Sequence, residues 1–548
     1  MQGPVKARSQ LLLAAAVQLA LSGCSAEESP TPLGHAEAVD APTTTAASVA
    51  SSSASTDVDL PAADTPVVDL AGMTTLASPP DGPTVAATRW LTRVYKTPSR
   101  EANVLGFLRA GAVVGARQNA SGPLTHGRSK DCTEGWRGIE PAGWVCLDDA
   151  TADLDDPIVR ATRRRPDVAH RLPYMYGTVT RGGPVYNRIP TEAHLEEFEP
   201  SLKDHLDKWR RDEISGARYG LDVWLRYTTG RTVPSALEAL ERKITDEDVP
   251  WFLKDHRRVP VVSQVVRQAG EDGVKVDQVN RRQGRSFTHS FLFEGRRYNV
   301  TPDLTVIPAD RFRPIRGSAF HGWQVGEELE LPFALVRRPN AWKYRWDGKR
   351  MVEHEHVEWR SAHLLTGKQK FYDKKLHYET KDGFWLNARY AGRVDPAKRW
   401  PKWAKQGARW IDVNITKQVL VAYEGKKMVY ATIVSTGEDG LGDPEESTAT
   451  KTGIFRIHTK WVTTTMDSDI VGEEFELRDV PYVQYFEGGY ALHGAYWHDG
   501  FGRPKSHGCI NLAPEDARRL FFWTDPQVPQ GWHGARKALT GTIIFVHP

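Results

Sequence analysis

The sequence predicts a mainly β, multidomain chain that ends in a β-sandwich or barrel-like domain carrying one prominent helix. A small β-barrel module and a mixed α/β middle region are expected before it. Three observations predict this. The 548 residues exceed what one hydrophobic core serves, so two to four domains are expected. From residue 85 onward, short apolar runs alternate with Gly, Pro, Asn and Asp signals, the pattern of strands and turns. Near the C-terminus, Pro514 followed by Glu515 and Asp516 gives a convincing helix start, with proline in the first turn and acids at the positive end.

The chain opens with Lys6 and Arg8 ahead of an apolar run over 11–21, too short to span a bilayer but the size of a signal-peptide core. The run ends in Leu21-Ser22-Gly23-Cys24, which resembles the bacterial lipobox. That resemblance implies a lipoprotein signal peptide over 1–23, cleavage before Cys24 and lipidation of its thiol. An ordinary secretory signal with an incidental cysteine is the alternative. Either reading exports the chain, and the first anchors it by lipid on the periplasmic or wall side of a bacterial envelope. Residues 24–84 are rich in Ala, Ser, Thr, Pro and Asp and poor in large apolar residues. Such a stretch cannot bury enough surface to offset its ordering entropy, so a flexible tether is expected.

Residues 85–152 read as a small β module, and the pattern loosely resembles a bacterial Src-homology-3-like wall-binding module. Cys132 and Cys146 flank Trp136 and Trp144 within it. In an exported chain the two are expected to form a disulfide, with a pair of buried free thiols as the alternative. Residues 155–346 read as a mixed α/β domain of unassigned role. Helical spacing runs from Thr191, a candidate N-cap, to Trp209, and a second helix is expected after Pro234. A hairpin is expected from Phe291 to Tyr298 with its turn at Glu294-Gly295.

A β-rich connecting module is expected over 347–404, faintly similar to the earlier β module. It holds His354, Glu355, His356 and His363. On a strand His354 and His356 share a face, but no third ligand stands at a recognised spacing, so they are read as polar surface and no metal is expected. The chain carries 72 Lys and Arg against 69 Asp and Glu, a net charge of +3, which leaves no concentrated basic footprint for nucleic acid. The 18 tryptophans suit sugar polymers or small β-rich cores, and core is the default.

Residues 408–548 read as the final domain. His493-Gly494 ends one strand, and Ser506-His507-Gly508-Cys509-Ile510-Asn511 follows after a loop rich in Gly and aromatics. A cysteine nucleophile needs a base or cation nearby, and histidine supplies either. Adjacent glycines let the backbone approach a substrate and turn amides toward a developing oxyanion. An unpaired cysteine is ordinarily a small buried hydrophobe. Here the other two folded-region cysteines can pair, which leaves Cys509 as the odd thiol of an exported chain and a candidate reactive group.

This constellation resembles the catalytic motif of L,D-transpeptidases of the YkuD type, histidine first and cysteine second. Gln418-Val419-Leu420, Val434-Ser435-Thr436-Gly437 and Thr452-Gly453-Ile454-Phe455 extend the likeness over about the last quarter of the chain. Lys451 departs from it, where the family often has proline. The resemblance implies Cys509 as nucleophile, His493 as general base and the Gly494 carbonyl as the group that orients the imidazole. It also implies an oxyanion hole of the Gly508 and Cys509 amides with His507 nearby. Ser506, Asn511, Trp497, Tyr482 and Tyr485 are the candidate substrate contacts, while His498 and Asp499 are read as loop residues outside the triad.

The expected activity is acyl transfer from a peptidoglycan tetrapeptide stem through a Cys509 thioester, releasing D-alanine, with no metal or organic cofactor. The acceptor would be a stem amine or a lysine of an anchored wall protein. The alternatives are hydrolysis on the same scaffold, as a carboxypeptidase or amidase, and a non-enzymatic wall-binding lipoprotein. In a papain-like peptidase the cysteine would precede the histidine, which is the reverse of the order here.

Overall fold

The computed structural model of the chain describes residues 81–211, 248–262, 273–468, 475–537 and 539–548. The signal peptide, Cys24, nearly all of the tether and the helix after Pro234 lie outside the described residues. Among the described residues no helix is long and apolar enough to cross a membrane.

The first module is built from two small sheets. Thr84–Ala87 lies between Val113–Gly115 and Ala150–Thr151, and Leu91–Tyr95 lies between Val104–Arg109 and Trp144–Cys146. Alternation turns Val85, Ala87, Val94, Leu108, Val114 and Val145 inward to one core. Cys132 and Cys146 are joined by a disulfide with Cα atoms 5.8 Å apart, packed beside Tyr95 and Trp136. The module is not sealed off from the C-terminal domain. Val104–Arg109 continues into Gly534–Arg536, and Trp532 completes the module's core. Gly106 allows this close approach, since a Cβ there would stand 2.4 Å from the Gly534 carbonyl oxygen.

In the middle region the helix expected from Thr191 to Trp209 is two helices, Glu192–Phe198 and Leu202–Arg211. Pro200 separates them; it has no N–H to donate and disfavours helical geometry at Glu199. Glu199 is buried and bonds Arg296 at 2.8 and 2.9 Å, and Arg296 in turn pairs with Asp310 at 2.8 Å. The break therefore serves a buried ion network that periodicity could not reveal. The expected hairpin is present as His289–Phe293 and Arg296–Val300, turning through Glu294 and Gly295 with φ of 48° and 75°.

The expected boundary at 347 needs correction. Phe333–Val336 and Ala341–Trp346, assigned to the middle region, belong to one seven-stranded sheet with the strands that follow, up to Ala391–Val394. Residue 347 lies in the turn between Ala341–Trp346 and its partner Met351–Val357. A turn signal alone cannot distinguish a hairpin from a linker. On that sheet His354 stacks on Phe384 and His356 on Trp342.

The C-terminal domain is a sandwich. One sheet runs in the order Trp323–Gln324, Lys427–Ile433, Val419–Glu424, Arg409–Asn414, Ile543–His547, Gly453–Arg456. The other contains Thr459–Ser468, Phe475–Glu487, Tyr490–Gly494 and Ile510–Leu512. Ile411, Val413, Leu420, Leu492, Ile510 and Ile544 pack between them, each fully buried. Burying each such side chain contributes roughly 1.5–3 kcal/mol before ordering costs. Helix Pro514–Trp523 covers this core with Ala517, Leu520 and Phe521. At its C-terminal end the buried Lys460 side chain donates to the carbonyls of Phe521 and Thr524 and bonds the Thr524 hydroxyl, while burial pulls its pKa down to about 7.

One carboxylate ties three regions together. Asp479, on Phe475–Glu487, is only 4% exposed and pairs with Arg109 of the first module. It accepts from Ser286 of the middle region at 2.5 Å and from Thr463 at 2.9 Å, while its carbonyl accepts from the Tyr176 hydroxyl at 2.7 Å.

Candidate active site

The six-residue motif is held on both edges. Ile510–Leu512 runs parallel to Tyr490–Gly494, with His493 paired to Asn511, and its other edge bridges to Ser435. Ser506 bridges to Gly437. Cys509 therefore stands one residue before a strand fixed on two sides, with His493 on the adjacent strand.

The thiol is half-buried against Ala491, Tyr485, Tyr496 and Trp497. Burial pushes its pKa up to about 11, while a backbone hydrogen bond from Ala491 opposes the shift. Sγ lies 3.7 Å from the Gly489 carbonyl oxygen. His493 is 2% exposed, and burial pushes its pKa down to about 4. Its ring stacks on Trp497 with centroids 5.6 Å apart, and Nδ1 lies 3.5 Å from the Gly494 carbonyl oxygen. A proton on Nδ1, donated to that carbonyl, leaves Nε2 as the basic lone pair. Burial thus favours the neutral form of both the thiol and the imidazole, which lie on adjoining segments of one sheet.

Gly508 adopts φ of +105°, and a Cβ there would come within 2.7 Å of the Tyr490 ring. Its carbonyl accepts from the Thr450 hydroxyl at 2.8 Å, and that hydroxyl in turn accepts from the Gly437 N–H at 2.8 Å. Ser506 is buried and its hydroxyl donates to the Cys509 carbonyl. Both contacts lock the turn that presents the sulfur.

Three expected substrate contacts are corrected. Ser506 faces its own turn. Asn511 is 2% exposed and its side-chain amide lies 2.9 Å from His498 Nε2, so it positions the loop rather than lining a cleft. Tyr482 is fully buried between Phe521 and Phe522 of the helix, and its hydroxyl donates to the His170 carbonyl. Tyr482 and Tyr485 are an odd number of residues apart on one strand, so they point to opposite faces; that spacing is a signal available in the sequence. Tyr485 and Trp497 are half-buried against the same cluster as Cys509, and burial followed by the Cys509 charge pushes Tyr485 up to about 12. His507 is exposed, with its ring 5.2 Å from that of Phe475. Lys451 pairs with Glu487 at 3.1 Å and Glu445 at 3.6 Å.

The motif pieces upstream converge here as well. Gln418 donates to the Thr436 hydroxyl at 2.6 Å and accepts from the Thr436 N–H at 3.0 Å, fixing the 434–437 segment that borders the motif. The 495–505 loop joining base to thiol is gripped from the preceding module, a contact no local pattern announced. Arg360 pairs with Asp499 at 2.7 Å, and a Cβ on Gly502 would stand 1.9 Å from the Arg337 carbonyl oxygen. His498 accepts the Gly500 N–H at 3.2 Å; burial, then Lys505 and His493, push it down to about 3.

The family model of the L,D-transpeptidase catalytic domain matches residues 408–546. No curated protein matches the sequence. Among solved structures, the chain is similar to a mutant of the Enterococcus faecium L,D-transpeptidase, at 23% identity over 26% of this chain and 50% of that one, with a TM-score of 0.20. It thus spans half the length of that protein. An L,D-transpeptidase from Stackebrandtia nassauensis is 25% identical over 28% of this chain and 58% of that one, with a TM-score of 0.18. One from Mycobacterium smegmatis is 18% identical over 39% and 81%, with a TM-score of 0.21. Cys509, His493 and the strands beside them all fall inside the segment, residues 408–546, that matches the L,D-transpeptidase catalytic domain.

Proposed function

We propose that the chain is an exported peptidoglycan L,D-transpeptidase that works through a Cys509 thioester. The observation that carries this reading is the placement, inside the matched segment, of Cys509 one residue before the strand that pairs with the strand of His493. His493 Nε2 takes the thiol proton as sulfur attacks the carbonyl of the third residue of a tetrapeptide stem. The tetrahedral oxyanion is met by the amides of Gly508 and Cys509, with His507 at the rim. The C–N bond then breaks, and His493 returns the proton to the departing D-alanine amine. An acceptor amine attacks the thioester, passes its proton through His493, and expels Cys509 sulfur, which is reprotonated. The Gly494 carbonyl holds the imidazole in its tautomer throughout.

The acceptor in this reading is an amine of a second stem or a lysine of an anchored wall protein. The Cys24 lipid and the 24–84 tether would place the domain against the wall from the membrane. No metal or organic cofactor enters the proposed steps.

Carbapenem treatment followed by intact-mass measurement tests the nucleophile: an adduct is expected on the unaltered chain and none on Cys509→Ala. An equal adduct on the variant removes Cys509 from the role. Products from defined tetrapeptide muropeptides test the acceptor. Cross-linked dimers support transfer, and tripeptide alone would replace it with hydrolysis.

A further inference from the structure

Between the 333–394 module and the 495–505 loop lies a cavity of about 470 Å³ lined by Arg338, Arg389, Arg503, Asn340, Tyr390 and Pro504. Three guanidinium groups, from three separate segments, border one space. Among the described residues none of the three has a carboxylate partner, although neighbouring arginines do: Arg360 pairs with Asp499 and Arg393 with Asp395. Positive charge is concentrated further by Arg337, which is 8% exposed and whose guanidinium donates to the Gly502 carbonyl at 3.5 Å. The Nε atoms of Arg337 and Arg338 are both buried without a hydrogen-bond partner. Burial and then the neighbouring Arg338 hold Arg337 down to about 10, as expected of a cation lacking its counter-charge. Arg389 and Arg503 are exposed and Arg338 is half-buried, so the three stand open to an incoming anion while Arg337 lies buried behind them.

The pocket is tied by local contacts to the loop that leads to Cys509. Arg338 is fixed by its N–H to the Tyr390 carbonyl, and Pro504 and Arg503 belong to the loop that Arg360 and Gly502 clamp. Arg503 precedes Cys509 by six residues, a separation of at most about 20 Å. A four-residue stem peptide spans about 14 Å when extended. Planar guanidinium forks match planar carboxylates in paired hydrogen bonds.

We propose that this pocket binds a free carboxylate of a peptidoglycan stem peptide and so aligns the stem with Cys509. The assignment rests on the transpeptidase reading above. It favours a peptide carboxylate over a polymer phosphate because the proposed reaction brings stem peptides, with their free carboxyl groups, to this loop.

The test uses the full chain carrying Cys509→Ala, so that no turnover occurs, and titrates it with a disaccharide-tetrapeptide and with the same compound amidated at its carboxyl groups. Amidation is expected to weaken binding tenfold or more. Adding Arg338→Gln, Arg389→Gln and Arg503→Gln together should weaken the free-acid form to the same degree and erase the difference between the two compounds. A thermal midpoint for the triple variant within about 2 °C of the parent would show that the fold is retained; if the triple variant loses its fold, each arginine replaced singly is compared by the same ratio. Equal binding of the two compounds by the parent, discrimination surviving in the variants, or preferential binding of a glycerol-phosphate polymer would overturn the pocket assignment. Release of D-alanine from the tetrapeptide by the unaltered chain is measured alongside. Its absence would overturn the transpeptidase reading, whereas release without discrimination would overturn the carboxylate pocket alone.

Discussion

Arg360 holds Asp499 at 2.7 Å across the boundary between the 333–394 module and the loop that joins His493 to Cys509. The Arg360 side chain is 11% exposed and lies over the rings of Trp359 and Phe320, at 3.9 and 5.0 Å. Asp499 is 56% exposed, so solvent screens the pair and its direct contribution to stability is about 1 kcal/mol or less. Its consequence is geometric. The aromatic packing fixes the guanidinium, and the guanidinium fixes the loop. A module with no catalytic signature of its own thereby sets the path between the two groups proposed to do the chemistry.

Replacing Arg360 with Ala should therefore impair reactivity more than stability. We expect carbapenem acylation of Cys509 to slow about 3- to 10-fold, the cost of a small misalignment. The thermal midpoint should move by only about 3 °C or less. Stopped-flow acylation with a parallel melting curve checks both, and an unchanged rate would show that the loop keeps its course without the clamp.

Alkylation by iodoacetamide should report the neutral thiol. With the Cys509 pKa near 11 and His493 near 4, no ion pair forms between them in the neutral range. The alkylation rate should rise about tenfold per pH unit from 7 to 10 as thiolate appears, without a plateau near neutrality. A rate that is flat between pH 6 and 9 would reveal a preformed thiolate and imidazolium, and would contradict the burial argument.

Stability should fall on mild acidification. Burial depresses His493 to about 4 and His498 and His289 to about 3. The unfolded chain protonates these rings near pH 6.5, whereas the folded chain stays neutral until much lower pH. Unfolding therefore takes up protons below about 6.5, and stability decreases as pH drops from 7 toward 4. His493 alone corresponds to on the order of 3 kcal/mol over that range. Urea midpoints at pH 7 and pH 5 measure it: the pH 5 value should be clearly lower, and His493→Gln should lessen the difference. Equal midpoints would mean that the rings protonate without unfolding.

Asp479→Asn should loosen the whole assembly. The change leaves Arg109, itself 8% exposed, buried without its counter-charge. The expected cost is about 3–5 kcal/mol. Arg109 lies in the first module and Ser286 in the middle region, so limited proteolysis should cut between regions in the variant before the C-terminal domain is lost. Unchanged proteolysis and an unchanged urea midpoint would remove Asp479 from this role.

Local chemistry determined much of this protein from sequence alone. The alternation of apolar residues placed strands such as Val419–Glu424 and Lys427–Ile433, and Pro514 with two acids placed the helix over Pro514–Trp523. Paired turn residues placed the Glu294-Gly295 hairpin, and the run from Ser506 to Asn511 marked the turn that carries the candidate nucleophile. Each is a property of a few neighbouring residues. Tertiary structure decided what depends on distant segments meeting. It buried Tyr482 against the helix and turned Asn511 toward His498. It broke a helix at Pro200 to seat Glu199 on Arg296, and it carried the sheet of the first module into Gly534–Arg536. The clamp of Arg360 on Asp499 spans 139 residues of sequence, and no periodicity or turn signal encodes which partner a buried charge will find across such a gap. The motif resemblance pointed to the sulfur and the imidazole; only the folded chain decided which walls, charges and backbone groups surround them.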